Sequence, residues 1–131
     1  MKARSLILAF ALMLGSGAAL AAATDGWYTA DQAAQGHQLF NNYCAECHRP
    51  DLTGAAGPAL KGDVFNQHRG GKPLSDLYGF EHSKMPAVNP GSLQPDQYWT
   101  ITAYILSKNG YPAGAAALNA DTAKGKVLQK Q

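Results

Sequence analysis

Cys44 and Cys47 are the only cysteines of the chain, with two residues between them, and His48 follows directly. A disulfide closing so short a loop would add little stability, so the spacing calls for a chemical reason. A thioredoxin-type C-x-x-C expects a βαβ context and has no use for the histidine. Zinc needs four ligands, and here a single C-x-x-C is accompanied only by scattered histidines. The run Cys44-Ala45-Glu46-Cys47-His48 is instead the c-type haem attachment sequence. At the end of a helix, thiols at i and i+3 lie on one face and can add to the two vinyl groups of one haem. The imidazole that follows is then offered to the iron from the same side. Covalent attachment also consumes both thiols, which accounts for the lack of a partner cysteine.

The second axial ligand follows by elimination, with alternatives left open. Of the three methionines, Met1 and Met13 fall in the first 23 residues, and Met85 sits between Lys84 and Pro86. A thioether opposite histidine is the cytochrome c pairing and raises the reduction potential. A core gap-filling role is the plain reading of a lone methionine, but a loop bounded by Lys84 and Pro86 is a poor place for one. His82 and His68 are the alternative ligands and would give a bis-histidine haem of lower potential. His37 reads as a surface residue of the first helix.

The first 23 residues read as an export signal. Lys2 and Arg4 form a positive start, Leu6 to Leu14 is a short apolar run, and two A-x-A sites end it, Ala19-Leu20-Ala21 and Ala21-Ala22-Ala23. The competing reading is an uncleaved anchor, but the apolar run is short for a bilayer. Cleavage predicts a periplasmic protein with no membrane span. Of 11 Lys+Arg, removing Lys2 and Arg4 leaves nine against nine Asp+Glu. A near-neutral chain argues against nucleic acid as a partner, which wants a strongly basic face.

The elements that must position these residues are helical. Thr29 with Gln32 forms a capping-box start. Ala33, Gly36 and Phe40 recur at i, i+3 and i+7, predicting a helix from about Ala30 to about Cys44. Arg49 to Gly71, rich in Gly and Pro, reads as structured loop, Leu74 to His82 as a short helix, and Met85 to Gly91 as loop again. Pro95 suits a first helical position. Tyr98, Ile101, Thr102 and Ile105 make one stripe flanked by Trp99 and Leu106, and Asn109-Gly110 with Pro112 stops the helix. Residues 113–131, rich in Ala and Lys, read as a loosely held tail, which leaves 24–112 as the domain. No strand or internal repeat is evident. The count leaves about 40 residues of irregular chain, too many for an ordinary small core. A large flat apolar cofactor would fill that deficit.

From Ala30 to Pro112 the chain resembles the class I cytochrome c family. The resemblance rests on Gly36-x-x-x-Phe40 ahead of Cys44-x-x-Cys47-His48, then Gly57-Pro58-Ala59-Leu60, Met85-Pro86, and Ala103-Tyr104-Ile105. It implies an all-α, small cytochrome c fold of three to five short helices, with long Gly/Pro loops wrapped around one covalently attached haem c. It implies that Gly36 and Phe40 cross against Ile101 and Tyr104, that the Pro58 carbonyl accepts the protonated nitrogen of His48, and that Leu60 packs on the ring. With His48 and Met85 as metal ligands and Cys44, Cys47, Pro58 and Leu60 completing the cofactor site, the function implied is one-electron carriage without enzymatic activity.

Tyr28-Thr29-Ala30, Gly70-Gly71-Lys72-Pro73-Leu74 and Asn89-Pro90-Gly91-Ser92-Leu93 look like a narrower group that accepts electrons from periplasmic quinoprotein-type dehydrogenases. The donor would then be such a dehydrogenase, and the acceptor an oxidase or another cytochrome. The chain departs from these relatives at Gln67-His68-Arg69, where they often carry an aromatic residue that bonds a haem propionate. His68 or Arg69 would have to take over there. Lys61, Lys72 and Lys84 could form a local basic ring for an acidic partner, or be solvated surface lysines. Two rival functions stand beside carriage. One is a haem subunit of a larger dehydrogenase or oxidase complex, and the other a haem enzyme or ligand-binding protein with a labile sixth position.

Overall fold

A computed structural model describes residues 25–131. The signal-peptide expectation for 1–23 therefore lies outside the described residues. Among them are five helices: α1 (Ala30–Tyr43), α2 (Ala45–His48), α3 (Gly62–Arg69), α4 (Leu74–Lys84) and α5 (Pro95–Lys108). None of these is long and apolar enough to cross a membrane. Strand-like pairing among the described residues is limited to two isolated bridges, Tyr28 with Ala113 and Pro73 with Val127.

The frame is the α1–α5 pair. Gly36 is buried in their contact, where a Cβ would run into the Thr100 carbonyl oxygen and lie 2.9 Å from the Tyr104 Cβ. Only glycine lets the two backbones approach this closely. One turn on, the fully buried Phe40 ring lies 5.3 Å from that of Tyr104. α5 is buried on nearly every side from Tyr98 to Leu106. The stripe visible in the sequence is thus only part of its packing surface, because α1, α4 and the loops enclose it.

Thr29 caps α1 by accepting from the Gln32 N–H at 3.1 Å. Its expected reciprocal partner is engaged elsewhere. The Gln32 side-chain amide donates to the Leu118 carbonyl at 2.8 Å and its oxygen accepts from the Leu118 N–H at 2.7 Å. The tail expected to be loosely held is in fact fastened. Leu118, Ala123 and Leu128 are buried with the core. The Leu128 carbonyl accepts from the Gly71 N–H at 2.7 Å, its N–H donates to the Lys72 carbonyl at 2.9 Å, and Leu74 donates to the Lys126 carbonyl at 2.9 Å. Three apolar residues spaced along a polar segment suffice when each enters the core and the backbone between them is paired. A second correction concerns Arg49–Gly71. The segment is not loop throughout, because α3 forms inside it with Phe65 buried.

Candidate haem-attachment site

α1 ends at Tyr43, Cys44 joins it to α2, and His48 closes α2. The His48 N–H donates to the Cys44 carbonyl at 3.0 Å, keeping the motif coiled as one turn. Both cysteines are free thiols, partly buried, and Cys44 packs against the core. Burial, with Glu81 and then Cys47 as charged neighbours, pushes the Cys44 thiol up to about 12. A redox-active C-x-x-C needs the opposite, a thiolate stabilised near neutral pH.

His48 is buried, at 6% exposure. Its Nδ1 lies 2.8 Å from the Pro58 carbonyl oxygen. A carbonyl only accepts, so Nδ1 carries the proton and Nε2 is left with its lone pair. The loop after the motif is folded back to make this contact. Gly54 donates to the His48 carbonyl at 2.9 Å, and Ala55 and Gly57 donate to the Cys47 carbonyl at 3.0 and 2.9 Å. Gly57 lies against the imidazole, where a Cβ would sit 2.5 Å from Cε1. Arg49 and Leu52 hold positive φ values of 62° and 63°. Such conformations are unfavourable outside glycine, and the complete burial of Leu52 helps to hold this one. Leu52 in turn receives the Leu60 N–H on its carbonyl at 2.9 Å.

The same loop is tied to the end of α5. Asn109 Nδ2 donates to the Leu60 carbonyl at 2.9 Å, and its Oδ1 accepts from the Gly62 N–H at 3.1 Å. In the sequence Asn109 reads only as a helix stop, whereas in the structure it anchors the segment that carries Pro58 and Leu60. Leu60 itself is partly buried and packed against the core.

Met85 follows α4 directly and is partly buried. Its N–H donates to the Glu81 carbonyl at 2.9 Å, and its carbonyl accepts from Tyr98 Oη at 2.7 Å and from the Gly91 N–H at 3.2 Å. Glu81, one turn earlier on α4, is buried, and burial pushes its carboxyl up to about 8. Neither Tyr98 nor Glu81 is marked in the sequence as more than a stripe residue or a charge. Their part depends on packing between α4 and α5.

The other histidines are exposed. The His82 ring stacks on Tyr78 at 5.8 Å and meets Tyr98 edge-on at 5.2 Å, and the His37 ring stacks on Tyr104 at 4.8 Å. His68 lies on α3. Arg69 next to it pairs with Asp76 at 3.4 Å and lies 4.4 Å above the Phe80 ring. Of the three lysines, Lys61 is partly buried and Lys72 and Lys84 are exposed.

The residues present fit a covalently held haem. Two free thiols stand beside a buried imidazole whose second nitrogen is already engaged, which is the donor set such attachment requires. Residues 31–105 match the model of the family described as "Cytochrome C oxidase, cbb3-type, subunit III". Comparison with curated proteins finds no match. Among solved structures, the chain is similar to sulfane dehydrogenase SoxCD from Paracoccus pantotrophus, with 28% identity and a TM-score of 0.61. That similarity covers 73% of this chain and 52% of the other, so the chain spans about half the length of its structural match. With more than half of its length matched and the attachment motif built around a buried histidine, the chain belongs to the cytochrome c oxidase, cbb3-type, subunit III family and is a class I c-type cytochrome.

Proposed function

We propose that this protein is a periplasmic electron carrier that holds one haem c and passes single electrons between protein partners. The observation that carries the reading is the buried His48 ring, bound through Nδ1 to the Pro58 carbonyl and set next to two free thiols. Cys44 and Cys47 would hold the haem covalently, and His48 Nε2 and the Met85 sulfur would ligate its iron. When bound, haem supplies the one-electron ferric/ferrous couple and a potential raised by the thioether. The chain's own work is to keep both ligand-bearing segments fixed and the pocket dry, so that little rearranges when the charge changes. Two protein ligands leave no open coordination position for substrate, which favours carriage over catalysis. The expected donor is a quinoprotein-type dehydrogenase and the expected acceptor an oxidase or another cytochrome.

A second reading is supported by the likeness to a dehydrogenase chain about twice as long as the matched region. In it, the protein is a haem module of a larger dehydrogenase or oxidase complex. Size-exclusion of a gently prepared periplasmic extract separates the two: a free carrier elutes at its own mass, a module with its complex.

The haem reading is tested by denaturation and acid-acetone extraction. Haem should stay on the polypeptide, with the mass of one haem added, and Met85→Ala should abolish the weak methionine-to-iron band at the red end of the ferric spectrum. Complete extraction of haem removes the reading. A low-spin spectrum untouched by Met85→Ala but altered by His82→Ala or His68→Ala replaces the sixth ligand.

A further inference from the structure

The Met85–Leu93 loop has few ties to the rest of the protein, and most of those run to one side chain. Asn89 donates to the Pro86 carbonyl at 2.9 Å and Gly91 to the Met85 carbonyl at 3.2 Å, which turns the loop upon itself. Tyr98 Oη, on a residue only 2% exposed, donates to the Met85 carbonyl at 2.7 Å. The same oxygen accepts from the Leu93 N–H at 3.5 Å, a long contact that nevertheless closes the far end. One buried phenol therefore joins the first and last residues of the loop. Its ring is clamped in turn by Tyr78, edge-on at 6.5 Å, and by His82 at 5.2 Å. One helical turn further along α5, Thr102 Oγ1 lies 2.6 Å from Glu81 Oε2 and 2.8 Å from the Tyr98 carbonyl. Glu81 is the residue whose carbonyl holds the Met85 N–H. Both backbone polar groups of Met85 are thus referred to α5, one directly and one through α4.

We propose that Tyr98 is the positioning residue of the sixth-ligand loop: its hydroxyl ties Met85 to Leu93 and keeps the thioether in place when the iron is oxidised. The chemical need is specific to one oxidation state. Soft sulfur binds ferrous iron well and ferric iron weakly, so the ferric protein is the state in which the loop can lose its ligand. A tie that resists loop opening matters most there, and it lowers the rearrangement that accompanies each electron. The inference rests on Met85 being an iron ligand.

The test titrates imidazole against the ferric holoprotein, because imidazole binds only where Met85 has left the iron. Loss of one neutral hydrogen bond should make imidazole bind roughly fivefold tighter in Tyr98→Phe than in the wild type. The red-end band should persist in the variant before imidazole is added. Tyr28→Phe is the matched control, since it removes a buried phenol that donates to the Tyr111 carbonyl, away from this loop; its affinity should stay within about twofold of the wild type. An unchanged affinity in Tyr98→Phe overturns the proposal, as does an equal change in Tyr28→Phe. If Tyr98→Phe yields no holoprotein, hydrogen exchange on the wild type decides. Leu93 and Gly91 amides exchanging as slowly as those inside α5 support the tie, and exchange at open-loop rates overturns it. Failure of the ligand assignment looks different, because Met85→Ala would then leave the low-spin spectrum intact.

Discussion

Glu81 has one carboxyl oxygen 2.6 Å from Thr102 Oγ1, while Oε1 has no hydrogen-bond partner among the described residues. Thr102 has a single hydroxyl proton and two acceptors near it, Glu81 Oε2 and the Tyr98 carbonyl at 2.8 Å. A protonated Glu81 resolves the count: it donates to Thr102, and Thr102 donates to Tyr98. This agrees with a carboxyl raised from its ordinary 4.5 to about 8, chiefly by burial, against the opposing pull of the Thr102 bond and Arg69. Because the folded state holds this proton more tightly than the unfolded one, the contribution is fully present below about pH 4.5. It declines as pH rises and is lost above about pH 8. Each pH unit inside that window costs at most about 1.4 kcal/mol from this group. Chemical denaturation of the holoprotein from pH 5 to 9 should show that decline, and Glu81→Gln should flatten it. Parallel slopes in the two proteins would show that Glu81 does not titrate in this window. Glu81 reads in the sequence as an ordinary helix charge, since nothing local marks a side chain that will be enclosed by a second helix.

Helices α1, α4 and α5 follow from local signals. The Thr29 cap, the Gly36-x-x-x-Phe40 spacing and Pro95 at the first position of α5 are properties of neighbouring residues, and they act through hydrogen bonds within one turn. α3 escapes this reading because its eight residues, Gly62 to Arg69, carry only one buried residue, Phe65. A helix this short is held by the tertiary contact of that ring, not by its own propensity. The α1–α5 crossing gives the sharpest expectation at this scale. Gly36→Ala places a methyl group against the Thr100 carbonyl and within 2.9 Å of Tyr104 Cβ, so the helices must separate. The expected loss is about 1–3 kcal/mol, read as a lower urea midpoint of the holoprotein. A midpoint within error of the wild type would mean that the pair can slide apart freely.

For the molecule as a whole, the C-terminal segment works as a strap. Leu118 is fixed to Gln32 of α1, Lys126 pairs with Leu74 at the start of α4 and Leu128 with the segment between α3 and α4, and the Gln129 N–H donates to Tyr111 Oη at 2.9 Å. Asn66 of α3 binds the backbone of Gln131. The strap thus connects α1, α3 and α4. Leu118 and Leu128 are each about 1% exposed, and replacing either by Ala should cost about 2–5 kcal/mol in thermal or urea unfolding. Protein truncated after Ala113 should unfold at a lower temperature still. Unchanged stability after truncation would show that the strap is passive.

The sequence by itself determined the c-type attachment motif, the helical class and the two segments in which iron ligands are proposed. A C-x-x-C-H run, a Pro-bounded methionine and helix caps are all read over a few residues, and their physics is equally local. The Pro58 carbonyl as partner of His48 came from the family resemblance, whereas tertiary structure alone decided which glycine lies against His48, which side chains hold the Met85 loop, and where the tail goes. Pro58 carries the His48 partner on its main chain, which is the same atom in every residue type, and Tyr98 reaches Met85 across 13 positions. Asn109 reaches Leu60 across 49, and Gln32 reaches Leu118 across 86. Contacts at such separations arise only when the packed helices bring distant backbone together.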